Sequence, residues 1–213
     1  MTLRRHLTPL EARIVAVLVE KAATVPDTYP LSLNALTAGC NQKTARDPVM
    51  TVAEPDLLAA LAELKDLSLV IEVGGSRVVK FEHNLGRVLG VPGAAVALLA
   101  TLMLRGPQTA AELRVHCERL HRFADVSSVE GFLDELAAKA EPLVRKLARA
   151  PGARESRWVH LLCGEEVAAA ASAAQPAAPA DAGLAEEVAV LRAEVAELRD
   201  QLGRLAASLG VDL

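Results

Sequence analysis

Apolar residues in "LTPLEARIVAVLVEK" recur at the three-to-four spacing of a helix, and the spacing returns in "LLAALAELKDL", "AAVALLATLML", "AAELRVHCERL" and "VEGFLDELA". Four hydroxyl residues stand three positions ahead of a glutamate: Thr8 and Glu11, Thr51 and Glu54, Thr109 and Glu112, Ser127 and Glu130. That is the capping-box spacing, in which the hydroxyl accepts the N3 amide proton and the glutamate reaches back to the N-cap amide. Pro9 strengthens the first start, while Pro55 moves the second toward residue 54 or later. Helices are therefore expected over residues 8–22, 32–39 and 55–67, and again over 93–104, 109–120 and 128–140.

Each set of three helices leads into alternating, β-branched sequence: "LVIEVGGSRVVKFEH" around Gly74-Gly75-Ser76, and "LVRKLARAPGARESRWVHLL" around Pro151-Gly152. Both read as hairpins. Three helices followed by a hairpin is the winged-helix plan, written twice. The expected fold is mainly α with small β hairpins (α+β): winged-helix domains at 1–90 and 91–164, an Ala/Pro-rich linker at 165–183, and a coiled-coil helix at 184–210.

Composition supports this outline: 52% of the 213 residues are hydrophobic but only 2% aromatic, which suits close-packed helices more than a β-sandwich. Net charge is −4, and the acidic excess falls in residues 165–213, with 9 acidic against 3 basic groups. The body is near neutral, so any nucleic-acid surface must be local. Cys40, Cys117 and Cys163 are odd in number and widely spaced, the usage expected of reduced thiols in the cytoplasm. The longest uncharged run, residues 88–104, is broken by Pro92 and Gly93 and has the length of a core helix rather than a membrane span.

"LTPLEARIVAVLVEK", "YPLSLNALTAGCNQKTARDPVM", "GSRVVKFEH", "LLRGPQTAAELR" and "ERLHRFADV" together resemble the YceH-like family of bacterial proteins over about residues 7–164. The resemblance implies a tandem winged-helix fold and supplies no catalytic residue to carry over.

The densest chemistry is "CNQKTARDPVM", residues 40–50, which follows Gly39, the expected stop of the second helix. Three readings fit it. Cys40 would be a nucleophile with its pKa lowered by Lys43 or Arg46, although no histidine lies nearby in sequence. It would instead be a buried thiol beside an Asp47-Pro48 turn. Or Asn41, Gln42, Lys43 and Arg46 would grip phosphate. The buried reading is preferred, so no catalytic residue is assigned. Cys117 and His121 stand one turn apart, but two ligands do not make a zinc site, and neither metal nor cofactor is expected.

In each winged helix the third helix would normally enter the major groove. In the first, a buried stripe of Leu57, Leu58, Leu61 and Leu64 would turn Asp56, Ala59, Ala60, Glu63 and Asp66 outward. In the second, Phe132, Leu133 and Leu136 inward leave Glu130, Asp134, Glu135 and Ala138 outside. Carboxylates there repel phosphate. Cations concentrate on the hairpins, Arg77 and Lys80 on one and Arg145, Lys146, Arg149, Arg154 and Arg157 on the other. With Lys43 and Arg46 they form the expected contact set for weak, salt-dependent duplex association. Two non-enzymatic functions remain open: a DNA-associated protein using its wings, which analogy with other helix-turn-helix modules favours, or an adaptor that docks proteins.

Beyond the linker, Leu184, Val188, Leu191, Val195, Leu198, Leu202, Leu205 and Leu209 repeat at 4-3 spacing. Valine at a and leucine at d favour a parallel pair, in which Glu187 and Glu194 at g meet Arg192 and Arg199 at e′. A homodimer through this helix is the expected assembly.

Overall fold

The first helix is surrounded on every side. The computed structural model describes residues 3–74, 78–149 and 155–173, and in it α1 (Pro9–Thr24) buries an unbroken run from Glu11 to Val19. A run buried all round belongs to a central helix, and α1 packs on α2 (Leu33–Cys40), α3 (Glu54–Asp66) and, most extensively, α5 (Gly93–Arg105). Its start is the expected capping box: Thr8 Oγ1 accepts the Glu11 amide at 3.2 Å, and the Glu11 carboxylate accepts the Thr8 amide at 2.8 Å. The box at Thr109 and Glu112 is also present, opening α6 (Ala110–His116).

Around these helices lie small antiparallel sheets. β1 (Leu31–Ser32), β2 (Val70–Val73) and β3 (Lys80–His83) form one sheet in the order β1-β3-β2, with Leu31 opposite Phe81 and Glu72 opposite Phe81 on the other side. After the short α4 (Leu85–Leu89), the order of helices and hairpin repeats in α5, α6, α7 (Val126–Ala137), β4 (Val144–Lys146) and β5 (Trp158–His160). β4 pairs with β5, and Gln108 bridges to Trp158 ahead of α6. The fold of the described residues is therefore mixed: eight α-helices with small antiparallel sheets. One continuous core spans both halves, including Ile14 and Leu18 of α1, Leu98 and Leu99 of α5, Leu61 of α3 and Leu133 of α7.

Several expectations are corrected. Thr51 caps nothing: α3 has Ala53 at its N-cap and Pro55 in its first turn. Ser127 lies inside α7, which begins two residues earlier because Asp125 accepts the Ser128 amide at 2.7 Å. Gly39 does not stop α2. It allows α1 and α2 to touch, since a Cβ there would sit 2.6 Å from Val17 Cγ1. On α3 the buried stripe is Leu57, Ala60, Leu61 and Leu64, so Ala60 faces inward and Leu58, 49% exposed, faces solvent. The α6 helix ends at His116 rather than near residue 120. Residues 165–173, expected as linker, form α8 (Glu165–Ala173), with Ala168 buried. The strand β1 and helix α4 had no counterpart in the sequence reading.

Candidate interaction surface

The 40–50 segment is folded around buried cations. Asn41 closes its ends: its side-chain amide donates to the Val52 carbonyl at 2.9 Å and its side-chain carbonyl accepts the Val52 amide at 2.7 Å. From α1, Arg13 donates to the Cys40 and Pro48 carbonyls at 3.3 and 2.6 Å. Arg46 turns inward, making a two-pronged pair with Glu20 at 3.1 and 2.6 Å and donating to Gln42 Oε1 at 2.6 Å and the Gly39 carbonyl at 3.2 Å. The Asp47 amide then donates to the Leu104 carbonyl at 2.7 Å, tying the loop to the end of α5.

Electrostatics follow the burial. Desolvation opposes charge on Glu20, but the guanidinium of Arg46 and the ammonium of Lys21 outweigh it and hold the carboxyl below its ordinary range. Burial, with Arg46 close by, lowers the Arg13 pKa. Cys40 is fully buried, and desolvation pushes its thiol up to about 12 despite both arginines. A thiolate nucleophile at neutral pH is incompatible with that environment. The segment is a structural buckle, and Arg46, with all its side chain buried, is removed from the phosphate-contact set.

The other expected cations are dispersed. Arg157 pairs with Glu112 through two contacts of 2.9 and 3.1 Å and donates to the Pro107 carbonyl. Arg145 lies 3.3 Å from Glu165. Lys146 sits over the Trp158 ring, 5.3 Å from its centroid. Lys80 is half-buried, whereas Lys43 and Arg149 are exposed. Arg77, Arg154 and the heptad residues Leu184, Val188, Leu191, Val195, Leu198, Leu202, Leu205 and Leu209 lie outside the described residues. Cys117 and His121 do not converge: Cys117 is buried against Thr101 Oγ1 at 3.0 Å, while His121 is exposed with its ring against Phe123. Among the described residues no group of three or more His, Cys, Asp or Glu is placed to hold a metal, and no helix is long and apolar enough to cross a membrane.

What sequence reasoning missed is a groove. Between α3 and the β2–β3 hairpin, Leu33, Leu58, Leu61, Val79 and Phe81 line a cleft of about 340 Å³, bordered by the Lys65–Glu72 pair at 2.7 Å. Leu58 and Val79, at 49% and 47% exposure, stand open on its walls. Apart from Lys65, the charged residues exposed on α3 are acidic: Glu54, Asp56, Glu63 and Asp66. The signal was available: Leu57, Ala60, Leu61 and Leu64 already satisfy i, i+3, i+4, i+7, which leaves Leu58 about 110° from the centre of that stripe.

Residues 7–153 match the family model described as "Protein of unknown function, DUF480". A UPF0502 protein of Leptothrix cholodnii is 70% identical over 217 residues, covering 98% of each chain. UPF0502 proteins of Burkholderia orbicola and Burkholderia lata are 61% and 62% identical over 216 residues, covering 98% of this chain and 92% of theirs. With the family model spanning most of the folded body and the relatives matching nearly end to end, the chain belongs to the DUF480 (UPF0502) family.

Proposed function

We propose that the protein is a non-enzymatic adaptor built from two winged-helix motifs, and that the α3–hairpin groove of the first motif docks a protein segment. The winged-helix reading is supported by chain order. In the first half a strand lies between the first two helices and pairs with the last strand, giving β1-β3-β2. In the second half the Gln108–Trp158 bridge occupies the position of that strand.

One observation carries the adaptor reading: α3, the helix that would meet DNA, presents the open apolar Leu58, and its exposed charges are four carboxylates against the single cation Lys65. Such a surface repels phosphate, at about 1 kcal/mol per close unit charge even in water-like dielectric. It complements an apolar segment flanked by lysine or arginine, laid into the cleft. Duplex association through Lys43, Lys146 and Arg149 is the second reading, favoured by their exposure on the loop and the second hairpin. The heptad at residues 184–209 gives the adaptor a means of self-association, so the docking grooves would be presented in pairs.

The test uses a labelled Leu/Lys amphipathic peptide followed by fluorescence anisotropy against the wild type and Leu58→Glu. Simple attraction between a cationic peptide and an acidic protein predicts tighter binding to Leu58→Glu, because a negative charge has been added. Groove docking predicts the reverse, a loss of about tenfold or more as a charge enters the apolar wall. Tighter binding to the variant, or salt-sensitive binding of random duplex in preference to the peptide, would overturn the adaptor reading.

A further inference from the structure

A cavity of about 770 Å³ lies where segment 3–7 crosses onto the second half. The segment is fastened there. The Leu7 amide donates to the Leu162 carbonyl at 2.8 Å, and the His6 ring covers Gly164, where a Cβ would lie 3.3 Å from it. Leu3, Leu143 and Leu161, all half-buried, join the buried Leu89 and Leu162 as an aliphatic lining. Its volume is in the range of small-molecule sites, about 300–1,000 Å³.

Charge on the rim is unevenly matched. Arg5 is engaged by Glu11 at 2.7 Å and Glu63 at 3.1 Å, and Glu165 by Arg145 at 3.3 Å. Arg4 and Lys139 also line the cavity, yet among the described residues neither takes part in an ion pair. Glu141 faces the same space. Two unmatched cations against one carboxylate favour a monoanion over a multiply charged phosphate. The absence of Phe, Tyr and Trp from the lining argues against a stacked base.

We propose that this cavity binds a small aliphatic carboxylate, its chain on the leucines and its head met by Arg4 and Lys139. The site is separate from the α3–hairpin groove and does not depend on the adaptor reading. It can be tested on the full chain by calorimetric titration with decanoate, decan-1-ol, decyltrimethylammonium and decyl phosphate at about 0.15 M salt. Saturable one-to-one binding of decanoate is expected, with decan-1-ol and decyltrimethylammonium weaker. Arg4→Gln with Lys139→Gln should weaken decanoate about tenfold or more, the loss of a charge-assisted contact. Glu141→Gln should tighten it, a gain that damaged folding would not produce, and Leu58→Glu should leave it unchanged. Equal binding of the cationic analogue, tighter binding of decyl phosphate, indifference to the Arg4 and Lys139 changes, or loss with Leu58→Glu would each overturn the proposal.

Discussion

Replacing Arg46 by methionine removes the centre of the 40–50 buckle while keeping much of its apolar bulk. The Glu20 carboxylate would lose its two-pronged partner and retain Lys21 at 3.2 Å. Breaking a buried pair from one side costs about 3–5 kcal/mol. Because Glu20 is 16% exposed and keeps one cation, the lower end applies, about 3 kcal/mol. At about 2–4 °C per kcal/mol for a chain of this size, the midpoint should fall by about 6–12 °C. Glu20→Gln is destabilising for the complementary reason, since it leaves the Arg46 guanidinium near Arg13 without the carboxylate. The double variant should cost less than the sum of the singles, with a coupling of about 2 kcal/mol. Urea unfolding would be followed by far-ultraviolet circular dichroism and by the fluorescence of Trp158, the chain's single tryptophan. Arg46 lies in the first half and Trp158 in the second, so a shared core requires both signals to shift together. Loss of less than about 1 kcal/mol in Arg46→Met, additive singles, or an unmoved fluorescence transition would refute the reasoning.

Acid should weaken the fold through the same groups. Glu11 and Glu20 are both held below the ordinary 4.5 in the folded state, so their stabilisation is present above that value and is lost as pH falls through the lower folded values. A urea midpoint measured from pH 6 to pH 3 should decline in the wild type and decline less in Arg46→Met; parallel curves would argue against the Glu20 assignment. Native thiol labelling should be slow at all three cysteines, whose thiols burial pushes to about 12, 11 and 11, and quickest at Cys163, the most accessible at 8%. Cys40 reacting first would contradict its packing. Gly39→Ala should cost about 1–3 kcal/mol through the Val17 clash, and adding Val17→Ala should recover part of it. Sedimentation equilibrium should report a dimer for the full chain and a monomer for a chain ending at Ala174, which retains α8; a monomeric full chain or a dimeric truncation would reject the heptad as the joining element.

Local signals were legible and long-range ones were not. The boxes at Thr8 and Thr109 formed because each hydroxyl and its glutamate are three residues apart and nothing nearby competes. At Ser127 a stronger acceptor, Asp125, took the N-cap, and at Thr51 the proline in the first turn set the start. Arg46 read as a surface cation because its partner, Glu20, lies 26 positions away on α1, a pairing that no local pattern encodes. Leu58 misled for the opposite reason. Leucine normally marks the core, but here Ala60 supplies the small inward residue that close helix packing requires. As a result, the candidate groove became visible only in three dimensions, while two of the four caps, the hairpins and the doubled order of elements were visible along the chain.

The encirclement of α1 has a consequence for how the chain is made. Its most extensive contact is with α5, which leaves the ribosome about 80 residues later, roughly 4–16 s at ordinary elongation rates. During that interval the side of α1 destined for α5 has no partner from its own chain. The nascent first half is then the species most exposed to aggregation or to capture by a holdase. Codon changes that slow translation between residues 24 and 93 should lower soluble yield without altering a single contact of the finished protein.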